Sequence, residues 1–203
     1  MDNDNSTSKL VIISVLGGLL LLIGAVFLFS TKEKVTLPLK IQEFTDFECP
    51  ACASYHPVVN DLMKQFTDNV SFEFINYPLT TIHPDAYQAA LAGEAARIQG
   101  KFSEYADLLF TNQDKLKRDN LIAFATQLGM DPVKFTTDMD SAAVKAKIDG
   151  DISTGEALGI NATPTFYING EKVVFQQGDD PAQVLKDLIT QKLALGLSQA
   201  QAK

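Results

Sequence analysis

The chemistry in this sequence concentrates in Glu48-Cys49-Pro50-Ala51-Cys52, which holds the chain's two cysteines at a spacing that can close a small disulfide ring. Proline suits the first position of a helix, where its missing N–H has no partner to lose. Cys49 therefore falls at a helix N-terminus, where the macrodipole and free backbone N–H groups favour a thiolate. The thiolate is the attacking species in disulfide exchange, which passes through a mixed disulfide. This makes Cys49 the candidate nucleophile and Cys52, one turn further in, the more buried resolving thiol. A metal site is the other use of such a pair, and it needs two more soft ligands. His56 and His83 are the available histidines. They lack the paired His-x3–5-His spacing, so a Cys2His2 site, or Cu(I) on soft thiolates, stands as the lesser alternative.

A second candidate feature is Ala162-Thr163-Pro164-Thr165, a proline just ahead of a strand. A cis peptide there, placed beside the cysteines, would present the backbone of Thr163 to an extended substrate. A trans proline at a strand start is equally compatible with the local sequence.

The elements that must position these residues form a simple order. Residues 39–47 mix Ile41, Phe44 and Phe47 with polar residues and read as a strand, and a helix opens at Cys49-Pro50 and runs to about Phe66. Val70 to Tyr77 alternates and is rich in aromatics, so it reads as a second strand. Strand, helix, strand over this length is a βαβ unit. Residues 83–158 carry helical patterns and no strand signal: 84–98 ends at Gly100, 102–110 places Tyr105, Leu108 and Leu109 on one face, 120–128 ends at Gly129, and 141–158 is expected to break near Gly150. Thr165 to Ile168 is a strand, Asn169-Gly170 is a hairpin turn because both positions need positive φ, and Lys172 to Phe175 is the returning strand. Asp179-Asp180-Pro181 starts a last helix that runs to about Leu195.

The N-terminus reads as a separate unit. Residues 1–9 are polar and expected to be a disordered tail, and Leu10 to Phe29 runs without a charge. At about 1.5 Å per residue that run spans roughly 30 Å, the thickness of a bilayer core. Residues 10–30 are therefore expected to be an uncleaved transmembrane anchor. A cleaved signal peptide would have a shorter apolar region and a small-x-small site, which Ala25-Val26-Phe27-Leu28-Phe29-Ser30 does not offer. Residues 31–38 read as a tether, 39–195 as the folded domain and 196–203 as a polar tail.

Taken together, strand–Cys49-Pro50-Ala51-Cys52–helix, a helical insertion, Gly159-Ile160-Asn161-Ala162-Thr163-Pro164-Thr165-Phe166 and Asn169-Gly170 resemble the DsbA-like branch of the thioredoxin superfamily, membrane-tethered bacterial type, over about residues 39–193. The fold this implies is α/β, a thioredoxin fold (βαβ…ββα) with a helical insertion at about 83–158, preceded by one transmembrane helix. The resemblance implies that Cys49 and Cys52 are the redox pair, Pro164 the cis-proline and Thr163 the residue that tunes potential and meets substrate. It also implies that Glu43, six before Cys49, is a buried acid that assists proton movement to Cys52, although the residues alone also allow Glu43 to be a surface strand residue. His83 is expected to be structural, as a helix cap. Two departures bear on oxidant strength. Ala51 stands where DsbA of Gram-negative bacteria has a histidine that helps stabilise the thiolate, and Asp46 and Glu48 bring negative charge that is expected to raise the thiol pKa.

The function this implies is thiol–disulfide exchange on exported proteins, by an enzyme without a cofactor, with a membrane redox partner: a quinone-linked oxidase if the pair donates disulfides, an electron donor if it acts as a reductase or isomerase. An isomerase usually needs a dimer, and no dimerisation domain is visible. The net charge of −8, spread along the chain, argues against nucleic-acid binding. Sequons occur at Asn5 and Asn161, and the one at Asn161 reads as coincidental because it overlaps the candidate site. Lys9 before the span and Lys32 and Lys34 after it favour a cytoplasmic domain only weakly. Oxidising chemistry belongs outside the cytoplasm, so the expected location is the cell membrane, single-pass, with the catalytic domain extracytoplasmic.

Overall fold

The computed structural model describes residues 38–201. The expected tail 1–9, anchor 10–30 and nearly all of the tether 31–38 lie outside the described residues. No helix among the described residues is long and apolar enough to cross a membrane.

A four-stranded sheet of order β2-β1-β3-β4 forms the centre. Strand β1 (Leu39–Thr45) lies between β2 (Val70–Asn76), to which it is parallel, and β3 (Thr165–Ile168), to which it is antiparallel. Its central place explains its burial on both faces. Leu39 and Ile41 pack with Phe166 and Ile168 under Val59 and Leu62 of α1 (Pro50–Gln65) and Leu185 and Ile189 of α7 (Pro181–Gln201). Phe44 faces the other way, against Ile75, Tyr77, Ile160 and Tyr167. At about 1.5–3 kcal/mol per buried large apolar side chain, these two clusters hold the sheet between its layers.

The helical insertion has a core of its own, and Cys49 and Cys52 belong to it. Helices α2 (Ala86–Ile98), α3 (Phe102–Thr111), α4 (Arg118–Gln127), α5 (Pro132–Asp140) and α6 (Ala142–Ala157) bring Tyr105, Leu109, Leu121, Phe135, Met139 and Ile148 into one cluster with Phe47, Cys49 and Cys52. Helix α2 forms because alanine has the highest helix propensity, and its small side chains let neighbouring helices approach closely.

Several boundaries differ from the sequence expectation. Helix α2 begins at Ala86 rather than Pro84. Leu108 is only half-buried beside fully buried Tyr105 and Leu109. Helix α5 and the 3-10 turn Gln113–Lys115 are separate elements; Asp131 caps α5 by accepting from the amides of Val133 and Lys134 at 2.8 and 3.0 Å. Helix α6 runs through Gly150 without a break. One mid-helix glycine costs about 1 kcal/mol, less than the burial of Val144 and Ile148 returns. The returning strand β4 is Glu171–Lys172, shorter than the expected 172–175. It is an edge strand, and after one more hydrogen bond, Val173 N to Phe166 O at 2.9 Å, the chain leaves the ladder so that Phe175 packs edge-on against Tyr55 and Phe166. Helix α7 continues to Gln201, past the expected end at Leu195 and into the segment read as a polar tail.

Candidate active site

A three-residue turn connects β1 to Cys49. Asp46, Phe47 and Glu48 follow the strand, and Cys49 N donates back to Asp46 O at 3.1 Å. Cys49 is then the N-cap of α1, in extended conformation, with Pro50 at the first helical position and no side chain capping the free amides. Cys49 is covered but shallow at 7% exposure, and Cys52, one turn in, is fully buried. Both thiols are free.

On the other side of Cys49 stands the loop after α6. Gly159, at φ 67°, ends that helix by donating to Glu156 O, while Ile160 N reaches Gly155 O. This closure uses the left-handed conformation that glycine adopts without penalty. The chain then reaches Thr163-Pro164, whose peptide bond is cis. As a thiol, Cys49 donates to Thr163 O at 3.4 Å. The Thr163 hydroxyl is buried and meets no partner of full hydrogen-bonding geometry, and it stands close enough to favour the thiolate.

These surroundings split the two thiols. The Cys49 pKa is lowered to about 5, first by the Cys52 thiol, with help from the Thr163 hydroxyl and the amides of Cys52 and Ala51, against an opposing effect of burial. Burial pushes the Cys52 thiol up, and the neighbouring Cys49 pushes it further. The expectation that Asp46 and Glu48 raise the nucleophile's pKa is therefore overturned. Both carboxylates are engaged by amides: Asp46 accepts from Glu48 N, Leu79 N and His83 Nδ1, each at 2.8 Å, and Glu48 accepts from Asp85 N at 2.7 Å.

Glu43 is buried, at 3% exposure, and is not a surface strand residue. Burial raises its pKa to about 8, with the Thr45 hydroxyl partly opposing. Thr45, two residues on and therefore on the same strand face, also acts on Cys52. Its Oγ1 makes no hydrogen bond of full geometry within the described residues. A cavity of about 200 Å³, lined in part by His56, Asn60, Arg97 and Phe102, reaches Glu43.

The two histidines are occupied away from the sulfurs. His56 Nε2 pairs with Asp107 at 2.6 Å, and His83 with Asp46. Contrary to expectation, His83 does not cap α2 with its side chain; its ring ties residues 79–85 to the turn through Asp46. Among the described residues no group of three His, Cys, Asp or Glu could hold a metal ion. Sequence reasoning missed Thr45, which its strand periodicity with Glu43 could have suggested. It also missed Gln113, whose Nε2 donates to Phe47 O at 2.8 Å and Cys49 O at 2.9 Å and which no local pattern singles out.

The chain is similar to known proteins over most of its described length. The family model described as Thioredoxin matches residues 36–188. A thioredoxin-like oxidoreductase from Silicibacter pomeroyi superposes with a TM-score of 0.67 and 26% identity, covering 77% of this chain and 87% of that one. BdbD from Bacillus subtilis superposes at 0.65 with 22% identity, covering 79% and 90%, and DsbA from Xylella fastidiosa at 0.65 with 17%, covering 77% and 87%; these two show the fold. The chain is also 35% identical over 137 residues to Na(+)/H(+) antiporter NhaA 1 of Mycolicibacterium gilvum, covering 66% of this chain and 22% of that protein. It therefore spans about a fifth of the curated relatives it matches. The chain belongs to the thioredoxin family.

Proposed function

We propose that this protein donates the Cys49–Cys52 disulfide to exported proteins on the outer side of a cell membrane, held there by residues 10–30 and reoxidised by a quinone-linked membrane partner. The observation that carries the direction of transfer is the unequal setting of the two sulfurs: a shallow Cys49 under the amides of α1 and beside Thr163, and a fully buried Cys52. This setting stabilises the Cys49 thiolate and thus the reduced enzyme, which makes the oxidised form a better oxidant.

A substrate thiolate attacks Cys49 Sγ of the disulfide, the bond between Cys49 and Cys52 breaks, and Cys52 leaves with the electron pair. Its raised pKa demands a proton, and Glu43, largely protonated at neutral pH, is the acid on that side. The substrate's second thiolate then attacks the substrate sulfur of the mixed disulfide. Cys49 departs as a low-pKa thiolate, a good leaving group, and the substrate keeps the disulfide.

The test is the reduction potential, measured in glutathione buffers with thiol trapping. An oxidase is expected towards about −120 mV. A potential near or below about −270 mV would replace this reading with that of a reductase.

A further inference from the structure

The turn that carries the nucleophile is held from outside the thioredoxin core. Gln113 reaches it across the chain from the 3-10 turn after α3, and one side-chain amide serves two carbonyls, Phe47 O and Cys49 O. That turn is itself fixed. Asn112 N and Nδ2 both donate to Leu108 O, at 3.0 and 2.9 Å, Lys115 N donates to Asn112 O at 2.8 Å, and Leu116 is buried in the insertion core. A long side chain on a fixed base loses less freedom when it makes its bonds than one on a mobile loop.

The Cys49 carbonyl is the one that accepts the first intrahelical bond, from Ala53 N at 3.2 Å. Fixing that peptide plane fixes the direction from which the first turn of α1 meets Cys49 Sγ. Elsewhere along the turn, the Asp46 and Glu48 carboxylates are held by the amides of Leu79 and Asp85 and by His83. Pro50 and Ala51 bring no cation and no side-chain donor, so the thiolate depends on aimed neighbours rather than on a nearby charge.

We propose that Gln113 is a positioning residue for the nucleophile: its paired hydrogen bonds hold the Phe47–Cys49 turn so that the amides of the first turn of α1 converge on Cys49 Sγ. This rests on Cys49 being the attacking thiol. Gln113 acts through the backbone and is expected to touch neither sulfur nor substrate.

The experiment compares full-length wild type with Gln113→Met, which keeps the length of the side chain and removes its donors, and with Gln113→Ala. Three quantities are read on each: thiolate absorbance of the reduced protein against pH, the equilibrium constant with glutathione, and urea unfolding. The expected result is a Cys49 pKa higher by about one unit in both variants. The glutathione equilibrium should shift about tenfold towards the enzyme disulfide, or about 30 mV. Either variant suffices if the other does not fold. A folded variant with the wild-type thiolate titration overturns the proposal, even if it is less stable, because Gln113 would then only join two parts of the fold. A wild-type protein whose Cys49 titrates like an ordinary thiol would instead overturn the nucleophile assignment itself.

Discussion

Replacing Glu43 with glutamine should make this protein more stable at neutral pH, by a margin that grows as pH rises above about 4.5. Glu43 is buried, and burial raises its carboxyl pKa to about 8 from the usual 4.5. In the unfolded chain the acid loses its proton near the usual value. In the native protein it keeps that proton until the folded value is passed. Between these two points folded Glu43 holds a proton that it lacks in the unfolded chain, so its contribution to stability falls as pH rises. Below about pH 4.5 the penalty is absent; at pH 7 two and a half units of it have accumulated. At about 1.36 kcal/mol per unit this amounts to about 3 kcal/mol, a large part of the 5–15 kcal/mol typical of a domain. Glutamine keeps the shape and does not titrate. Urea unfolding of both reduced proteins from pH 4.5 to 8 should give curves that meet at the acid end and separate by about 3 kcal/mol at pH 7. Parallel curves over that window would refute the enclosure of an ionisable Glu43. The same substitution should slow the step in which Cys52 takes up its proton, seen as a slower release of Cys52 in single-turnover exchange.

Two further outcomes follow from close contacts. Gly155→Ala would place a Cβ 2.3 Å from Cε2 of Tyr77, a ring that cannot swing aside because its hydroxyl donates to Ile160 O at 2.7 Å. Thermal or urea unfolding should show a loss of about 1–3 kcal/mol, as in other overpacked cores. Thr163→Val removes the hydroxyl that favours the Cys49 thiolate, so thiolate absorbance should report a pKa higher by roughly one unit, in line with a lost hydrogen bond to a charged group.

The features legible in the sequence are those decided within a few residues. Cys49-Pro50 marks a helix start because proline at the first position leaves the preceding residue at the N-cap. Asn169-Gly170 marks a hairpin because both residues take positive φ, 50° and 81°. Asp180-Pro181 marks the start of α7, where Asp180 accepts from Ala182 N at 2.9 Å. These signals, in order along the chain, were enough for the thioredoxin fold and for placing Cys49 and Cys52 at the start of its first helix.

What the sequence left open depends on which segments meet. Glu43 reads equally well as exposed or enclosed until β1 is known to be the covered central strand between β2 and β3. β4 is shorter than its alternation suggests because it lies at a sheet edge, with a strand on one side only. The direction in which the Cys49 pKa moves is a tertiary property as well. Counting acids near the cysteine predicts a rise, but Asp46 and Glu48 are bound by amides and a histidine from residues 79–85, and Gln113 reaches the same turn from the insertion. Sequence determined which atoms could react, because that is a matter of residue type and local conformation. Only the tertiary structure decided how strongly each holds its proton, because burial and distant donors set the stability of a charge.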